Sequence, residues 1–427
     1  MTFKDKFSYH KFLLISSLLL FLFPAAQISG PLFTDLFLII MSCIFLFIYK
    51  HDKQFYLFKS DYFRLFIVFW IYIVIRSLIS DSFILSIKST LPYFRFCIFS
   101  MAVCYVLKNS KNCAKYFYIS IFVTLSILIF DGYFQFLTGK NIFGFSQPRP
   151  DRLGGLFFEE LILGSYIEKI LPIFITLFAI NKNTINKNYI LLFISLAYLL
   201  VFLSGERSSF ILLSFYFVLI APFFIRLKTF LSICLIAITI FSTLVLTNKN
   251  LKSRWIEQMQ MHTVGQNAKY TVFMPDHIGL FTSAIDIFQK NIFFGSGVKT
   301  FRVNCKYTDQ IKIIELKNLL KQPVHFCSTH PHNYYLQLLA ETGIFGFLLV
   351  FVIFLRILYI YFKQLYFLIK KNNKLKSRSY ISILSGLLVT IWPLTTTGSL
   401  FNNWISSTIF LTVGIYFFVS FNEKNNL

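Results

Sequence analysis

Apolar residues run through this chain in long blocks, and polar residues gather between them. Twelve stretches are mostly apolar and near the length of a membrane helix: residues 12–29, 31–49, 62–80, 91–107, 115–136, 160–180, 188–204, 208–225, 229–247, 332–362, 380–396 and 403–420. A transmembrane helix needs about 20 such residues. The pattern predicts an all-α, polytopic integral membrane protein of about twelve transmembrane helices. Spans one to nine fall in residues 1–247 and spans ten to twelve in residues 332–427, with a long external loop at 248–331. The first block is not expected to be a cleaved signal, because another apolar span begins almost at once and no small-residue cleavage site intervenes.

A structureless loop of that length is unusual in a compact protein. Residues 276–290 place Ile278, Phe281, Ala284, Ile285 and Phe288 at helical spacing. Residues 310–321 do the same with Ile311, Ile314, Leu316, Leu319 and Leu320. Short amphipathic helices over the membrane surface are expected, either roofing a site that opens to lipid or packing only on one another.

Composition removes the soluble classes, since 56% of residues are hydrophobic and only 14% charged. The formal net charge of +23 reads as topology. With the N-terminus in the cytoplasm, 21 Lys and Arg fall in cytoplasmic segments and five in short external loops: Lys88, Lys140, Arg149, Arg152 and Arg207. That asymmetry puts both termini inside and 248–331 outside. The charge then attracts anionic membrane lipids and calls for no nucleic acid. Cys305 and Cys327 lie together in the external loop, an oxidising setting, and are expected to pair; two free thiols are the alternative. No Cys/His spacing resembles a zinc site, so no metal is implied.

The candidate chemistry sits where the long loop meets the tenth span. Pro331, His332 and Asn333 open an apolar run there. Pro331 suits the first turn of a helix. A His at that place feels the positive end of the helix dipole, which favours a neutral, proton-accepting imidazole. His332 therefore fits a general base at a membrane surface, although spacing alone favours the plainer reading of a helix cap. External arginines run against the topology trend. Arg149 and Arg152 flank Asp151 before Gly154-Gly155, Arg207 follows the Ser204-Gly205-Glu206 turn, and Arg302 follows Gly295-Ser296-Gly297. Guanidinium forks match phosphate oxygens, and glycines allow close backbone approach, so these positions suit a lipid diphosphate. Lipid headgroup contact alone is the competing reading.

Other charges are weaker signals. Arg76, Arg95, Glu168, Lys169 and Arg356 lie in or at the ends of spans, without assigned roles. Adjacent Glu168 and Lys169 are expected to need separate partners. Asp131, Glu159 and Glu160 are candidate ion-pair partners for the arginines. Residues 393–403 form a polar external turn that either binds sugar hydroxyls or is simply a loop.

Several of these residues together resemble a known family. The stretch His330-Pro331-His332-Asn333, Leu336-Gln337, Glu341-Thr342-Gly343 and Gly346 looks like the signature of the O-antigen ligase and polymerase superfamily. Asn291, Gly295-Ser296-Gly297 and Phe301 resemble its glycine-containing segment upstream. Arg152-Leu153-Gly154-Gly155 and Ser204-Gly205-Glu206-Arg207-Ser208 resemble two further external motifs, although Glu206 stands where the family more often has a small residue. The resemblance covers roughly residues 140–360.

It implies a GT-C-type glycosyltransferase in the bacterial inner membrane, with its active site on the periplasmic side and no cofactor. The donor would be a glycan on undecaprenyl diphosphate. A ligase passes it to lipid A-core; a polymerase passes it to another carrier-linked unit. The motif set lies closer to the ligase branch. By the same resemblance His332 is similar to the catalytic His, and Arg207 and Arg152 to diphosphate-binding residues. Arg149, Arg302 and Asn333 are added as substrate-binding candidates, with Glu341 and Gly343 as structural ones. Direct displacement with inversion, and without a metal, is the expected reaction. A transporter for the same lipid-linked glycan is the rival class; it would show repeats and midplane charges, whereas the polar signal here concentrates outside.

Overall fold

A computed structural model describes residues 3–49, 56–80, 82–181, 186–263, 273–320 and 324–425. Lys50, Lys53 and Lys182, which count toward the expected topology, lie outside the described residues. Each of the twelve apolar blocks is helical: α1 (Phe3–Ile28), α2 (Pro31–Tyr49), α3 (Asp61–Leu78), α4 (Phe83–Thr90) leading into α5 (Phe94–Asn109), α6 (Cys113–Thr138), α7 (Leu163–Ile180), α8 (Lys187–Leu203), α9 (Arg207–Phe224), α10 (Leu227–Thr247), then α13 (Tyr334–Ile369), α14 (Arg378–Thr390) and α15 (Asn403–Asn425). The long loop contributes α11 (Pro275–Lys290) and α12 (Gln310–Leu320). No strand occurs among the described residues. The protein is an all-α, multi-pass membrane protein.

Nine helices among the described residues are long and apolar enough to cross a membrane. The other three blocks fall short for visible reasons. α3 carries Asp61, Arg64 and Arg76; α8 has 17 residues; α14 has 13. The expected span 380–396 stops at Thr390 because residues 391–402 leave the helix. Pro393 has no N–H for a helical bond and biases Trp392 away from helical geometry.

Local sequence explains many of the ends. The side chains of Ser60, Asn186, Asn248, Asn333 and Ser377 each accept a backbone N–H in the first turn that follows. Gly139 closes α6 in the left-handed region, at φ 77°.

Among the nine candidate spans the one ending in α5 is the most enclosed, with α15 along one side of α5 and α2 along another. By contrast α10, which is more apolar, is almost wholly exposed, as suits a helix with lipid around it. Two intramembrane charges find a partner at once. Arg95 pairs with Asp35 at 2.9 Å. Glu168 and Lys169 do not need separate partners as expected, because Lys169 Nζ folds back to the Glu168 carboxylate at 2.6 Å. Arg76 donates to the carbonyl oxygens of Phe294 and Gly295.

The loop helices form where the pattern placed them, with a correction to their faces. α11 buries Gly279, Leu280, Ser283, Ala284 and Ile287, and leaves Ile285 exposed. A Cβ at Gly279 would lie 2.4 Å from the His325 carbonyl oxygen, so this small-residue face is what allows close docking. α12 buries Leu320 and turns Ile311 and Ile314 outward. Cys305 and Cys327 are disulfide-bonded, with Cα atoms 5.0 Å apart.

Candidate functional site

The site begins at a break in the longest helix. Gly343 interrupts α13 with φ 64° and ψ −169°, freeing the carbonyls of the turn before it. The segment 292–297 occupies the break. Ser296 N donates to Ala340 O at 3.0 Å and Gly297 N to Glu341 O at 2.8 Å, while Ile344 N donates to Ile292 O at 2.8 Å. A Cβ at position 343 would lie 2.4 Å from the Phe293 carbonyl oxygen, so glycine is required on steric as well as conformational grounds. Glu341 is fully buried and ties the loop down. Its carboxylate accepts from Phe301 N at 3.3 Å and from the Gln337 amide at 3.0 Å.

Asn333, not His332, caps α13. Its side-chain oxygen accepts from Tyr335 N and Leu336 N, both at 3.0 Å. Its amide donates to Pro393 O at 2.7 Å and Thr395 O at 3.0 Å. Every donor and the acceptor of this amide are thus engaged within the protein, which makes it a staple between α13 and the 391–402 turn. Thr397 N donates to His332 O at 2.8 Å, and Gln337 bonds both Ser399 Oγ and Leu400 N. That polar turn is therefore the frame of the histidine.

Pro331 and His332 precede the helix, so Pro331 is not in its first turn as the sequence suggested. His332 takes a left-handed backbone, φ 55°, which is uncommon for a residue with a Cβ. The His332 imidazole is half-buried, and burial holds its pKa below the usual value against a small opposing effect of the Thr397 backbone. The direction is the one expected from the sequence; the cause is desolvation. Two further histidines surround it. His330 lies with its ring centroid 4.1 Å from that of His332, and His277 of α11 lies 5.4 Å away. Burial, then the neighbouring His332, pushes His330 down to about 3 and His277 down to about 4. Nε2 of His330 and Nδ1 of His277 are buried without a partner among the described residues. The result is a trio of neutral imidazoles.

A second group is a cluster of arginines. The loop 149–153 docks on the turn 204–206, with Leu153 N donating to Ser204 O. Gly205 has φ 72°, and a Cβ there would lie 2.6 Å from Asp151 O. Arg149 pairs with Asp151 at 3.2 Å. Arg152 donates to Leu161 O, and Arg207 to Arg254 O and Gln258 Oε1. Nε of Arg152 and of Arg207 are buried without a partner among the described residues. Arg254 completes the group, donating to Gly205 O at 2.8 Å and Gln258 Oε1 at 2.8 Å and lying 3.8 Å from Asp151. Burial and then Arg207 and Arg152 push the Arg254 guanidinium down to about 10, so it stays charged at neutral pH. Glu206, which departs from the family pattern, accepts from Gly164 N at 2.6 Å and Ser165 N at 3.0 Å and so caps α7, while its charge also acts on Arg152. Four guanidiniums around Asp151 make a cationic hollow suited to an anion.

The two groups meet through the frame. Ser208, next to Arg207, bonds Thr396, and the next residue, Thr397, holds His332. The structure therefore brings Arg149, Arg152 and Arg207 together and connects them to His332. Arg302 stands apart, near His330 and Glu341. Asp131 does not meet the arginines as expected; it accepts from Ile142 N at 2.8 Å.

Arg254 and His277 were missed by motif reading. Arg254 sits in a π-helical turn, 253–257, and the adjacent Trp255 stacks on Phe202 with centroids 4.7 Å apart. An aromatic anchor next to an arginine was the only local signal. His277 was hidden because the face of α11 had been read with Ile285 inward.

Fold and site define a polytopic membrane protein with a cationic hollow and a buried neutral histidine at one end of its helices. Residues 190–351 match the family model described as Wzy_C, O-antigen ligase, so this part of the chain is similar to the O-antigen ligase superfamily. The match runs from α8 through the first half of α13 and includes Arg207, Arg254, His277, Arg302 and His332. No curated protein matches the chain. The family match supports a glycosyltransferase-type membrane enzyme acting in O-antigen or polysaccharide processing.

Proposed function

We propose that the protein transfers a glycan from an undecaprenyl diphosphate carrier to an acceptor hydroxyl on the periplasmic face of the inner membrane, and that it is an O-antigen ligase joining polysaccharide to lipid A-core. In this reading residues 1–247 and 332–427 form the membrane part, both termini are cytoplasmic, and 248–331 roofs the site. The observation that carries the reading is the coupling of a neutral, fixed His332 to four clustered arginines through one short turn.

The division of labour follows from charge. The scissile bond joins the anomeric carbon to a diphosphate oxygen, and negative charge grows on that diphosphate as the bond breaks. Arg207, Arg152, Arg254 and Arg149 stabilise it in place before reaction, which is the economical form of electrostatic catalysis. His332 accepts the proton of the acceptor hydroxyl as its oxygen bonds the anomeric carbon. One displacement of this kind inverts the anomeric centre and involves no metal in the residues named. Burial keeps His332 in the proton-accepting form, and the neutral rings of His277 and His330 help to enclose it. Asn333 positions His332 by holding the helix start to the 391–402 turn.

The test is a deletion strain carrying wild-type or His332→Ala protein, with lipopolysaccharide resolved by length. Bare core together with long glycan retained on its carrier is expected for the variant. Core bearing single repeat units would assign the protein to the polymerases instead, and an unchanged profile would remove His332 from the chemistry.

A further inference from the structure

A second pair of cations, Lys299 and Arg302, lies near His330 and has no contact with the arginine hollow among the described residues. Lys299 has a left-handed backbone, φ 62°, a strained state for a lysine. The loop around it is pinned at many points. Gly297 N and Ser296 N bond α13 carbonyls, Ser80 Oγ donates to Ser296 O at 3.1 Å, and Ser86 Oγ donates to Val298 O at 2.8 Å. Phe301 N donates to the buried Glu341 carboxylate. Arg302 follows on the short helix Phe301–Asn304, whose first residue is wholly buried.

The two side chains are half-buried and under-partnered. Arg302 Nε is buried and makes no hydrogen bond, and Lys299 forms no ion pair or hydrogen bond through its ammonium group among the described residues. Their electrostatic neighbours are each other, Glu341, Arg95 and His330. Glu341 already accepts two hydrogen bonds, and Arg95 is neutralised by Asp35. Two rigidly presented cations with unused donors, near His330, whose ring lies 4.1 Å from that of the proton acceptor His332, are arranged for an anion that belongs to neither the fold nor the donor diphosphate.

We propose that Lys299 and Arg302 form a second anion site that binds a phosphate carried by the acceptor glycolipid and so aims its hydroxyl at His332. The inference rests on the transfer reading above. Donor diphosphate and acceptor phosphate are then held by two separate sets of cations, which distinguishes the two lipids by their charge contacts. The phosphate source is either lipid A-core or a second carrier-linked unit.

The experiment measures binding to the purified protein in lipid nanodiscs by native mass spectrometry. The probes are undecaprenyl diphosphate, phosphorylated lipid A-core, and the same lipid A-core after phosphatase treatment. Wild-type protein should bind the phosphorylated form about tenfold more tightly than the treated one, as expected for loss of charge-assisted contacts. Lys299→Gln with Arg302→Gln should erase that difference and leave the first equivalent of undecaprenyl diphosphate bound as before. Arg207→Gln should do the reverse. If wild-type protein instead shows no preference for phosphorylated core, and the double variant loses only a second equivalent of undecaprenyl diphosphate, the site still holds an acceptor phosphate and its source is carrier-linked. The proposal is overturned if the double variant keeps the preference for phosphorylated core, or if it loses the first equivalent of undecaprenyl diphosphate. Failure of wild-type protein to bind undecaprenyl diphosphate at all would sink the transfer reading itself.

Discussion

The arginine hollow and the histidine trio are built on opposite principles. The arginines are charged, partly open and crowded, and each guanidinium keeps protein contacts while two retain a buried donor without a partner. The histidines are neutral, pressed together and held by backbone. Like charges are tolerated in the first group because Asp151 lies among them and solvent or an anion screens the rest. Like charges are refused in the second, where burial and mutual repulsion keep the imidazoles unprotonated. Binding charge and accepting a proton need these two environments, and a turn of three threonines joins them.

The comparison breaks most sharply at His332. His332→Ala should lower the transfer rate by about a thousandfold while the protein still accumulates in the membrane, as expected for loss of a general base. Activity of purified protein on donor and acceptor, with a membrane blot for abundance, checks this. Next come the arginines. Arg254→Ala and Arg207→Ala should each lower transfer by about a hundredfold and weaken undecaprenyl diphosphate binding, since each removes a preorganised charge contact. An effect of Arg254→Ala as large as that of Arg207→Ala would establish that the long loop contributes directly to the hollow.

Gly343→Ala tests the frame beneath both groups. The added carbon would collide with Phe293 O, so low membrane abundance and a fall in melting temperature are expected, read by fluorescence-detected chromatography after heating. The smallest effect concerns pH. Folded His277 and His330 titrate near 4 and 3, whereas unfolded histidine titrates near 6.5. The unfolded state therefore binds more protons between those values, so stability is fully present above about pH 6.5 and declines as pH falls through that window. His277→Asn should flatten the decline in melting temperature between about pH 6.5 and pH 4.

Much of this was legible in the sequence, because long apolar blocks and isolated external charges are strong signals. Every apolar block is a helix, and Arg149, Arg152 and Arg207 were recognisable next to glycines that let two loops dock. The frame was not legible. Thr395, Thr396 and Thr397 looked like the end of a span or a plain turn, since what matters is which carbonyls and N–H groups they offer to residues some sixty positions earlier. Asn333 looked free to meet substrate for the same reason: its partners are backbone atoms far away in sequence. α11 was read one face out of place because glycine and serine, not the bulky residues, line its docking side. Both α5 and α10 read simply as apolar spans, although α5 is enclosed by protein and the more hydrophobic α10 is left to lipid.

The most direct measurement is single-turnover transfer by purified protein, from an undecaprenyl diphosphate-linked glycan to lipid A-core, followed across pH for wild type and His332→Ala. The account predicts a wild-type rate that stays flat as pH falls through about 6.5, the usual histidine value, and drops only below it as the buried imidazole becomes protonated, and a variant about a thousandfold slower without that drop. A variant that transfers glycan at the wild-type rate with the same pH profile would contradict it.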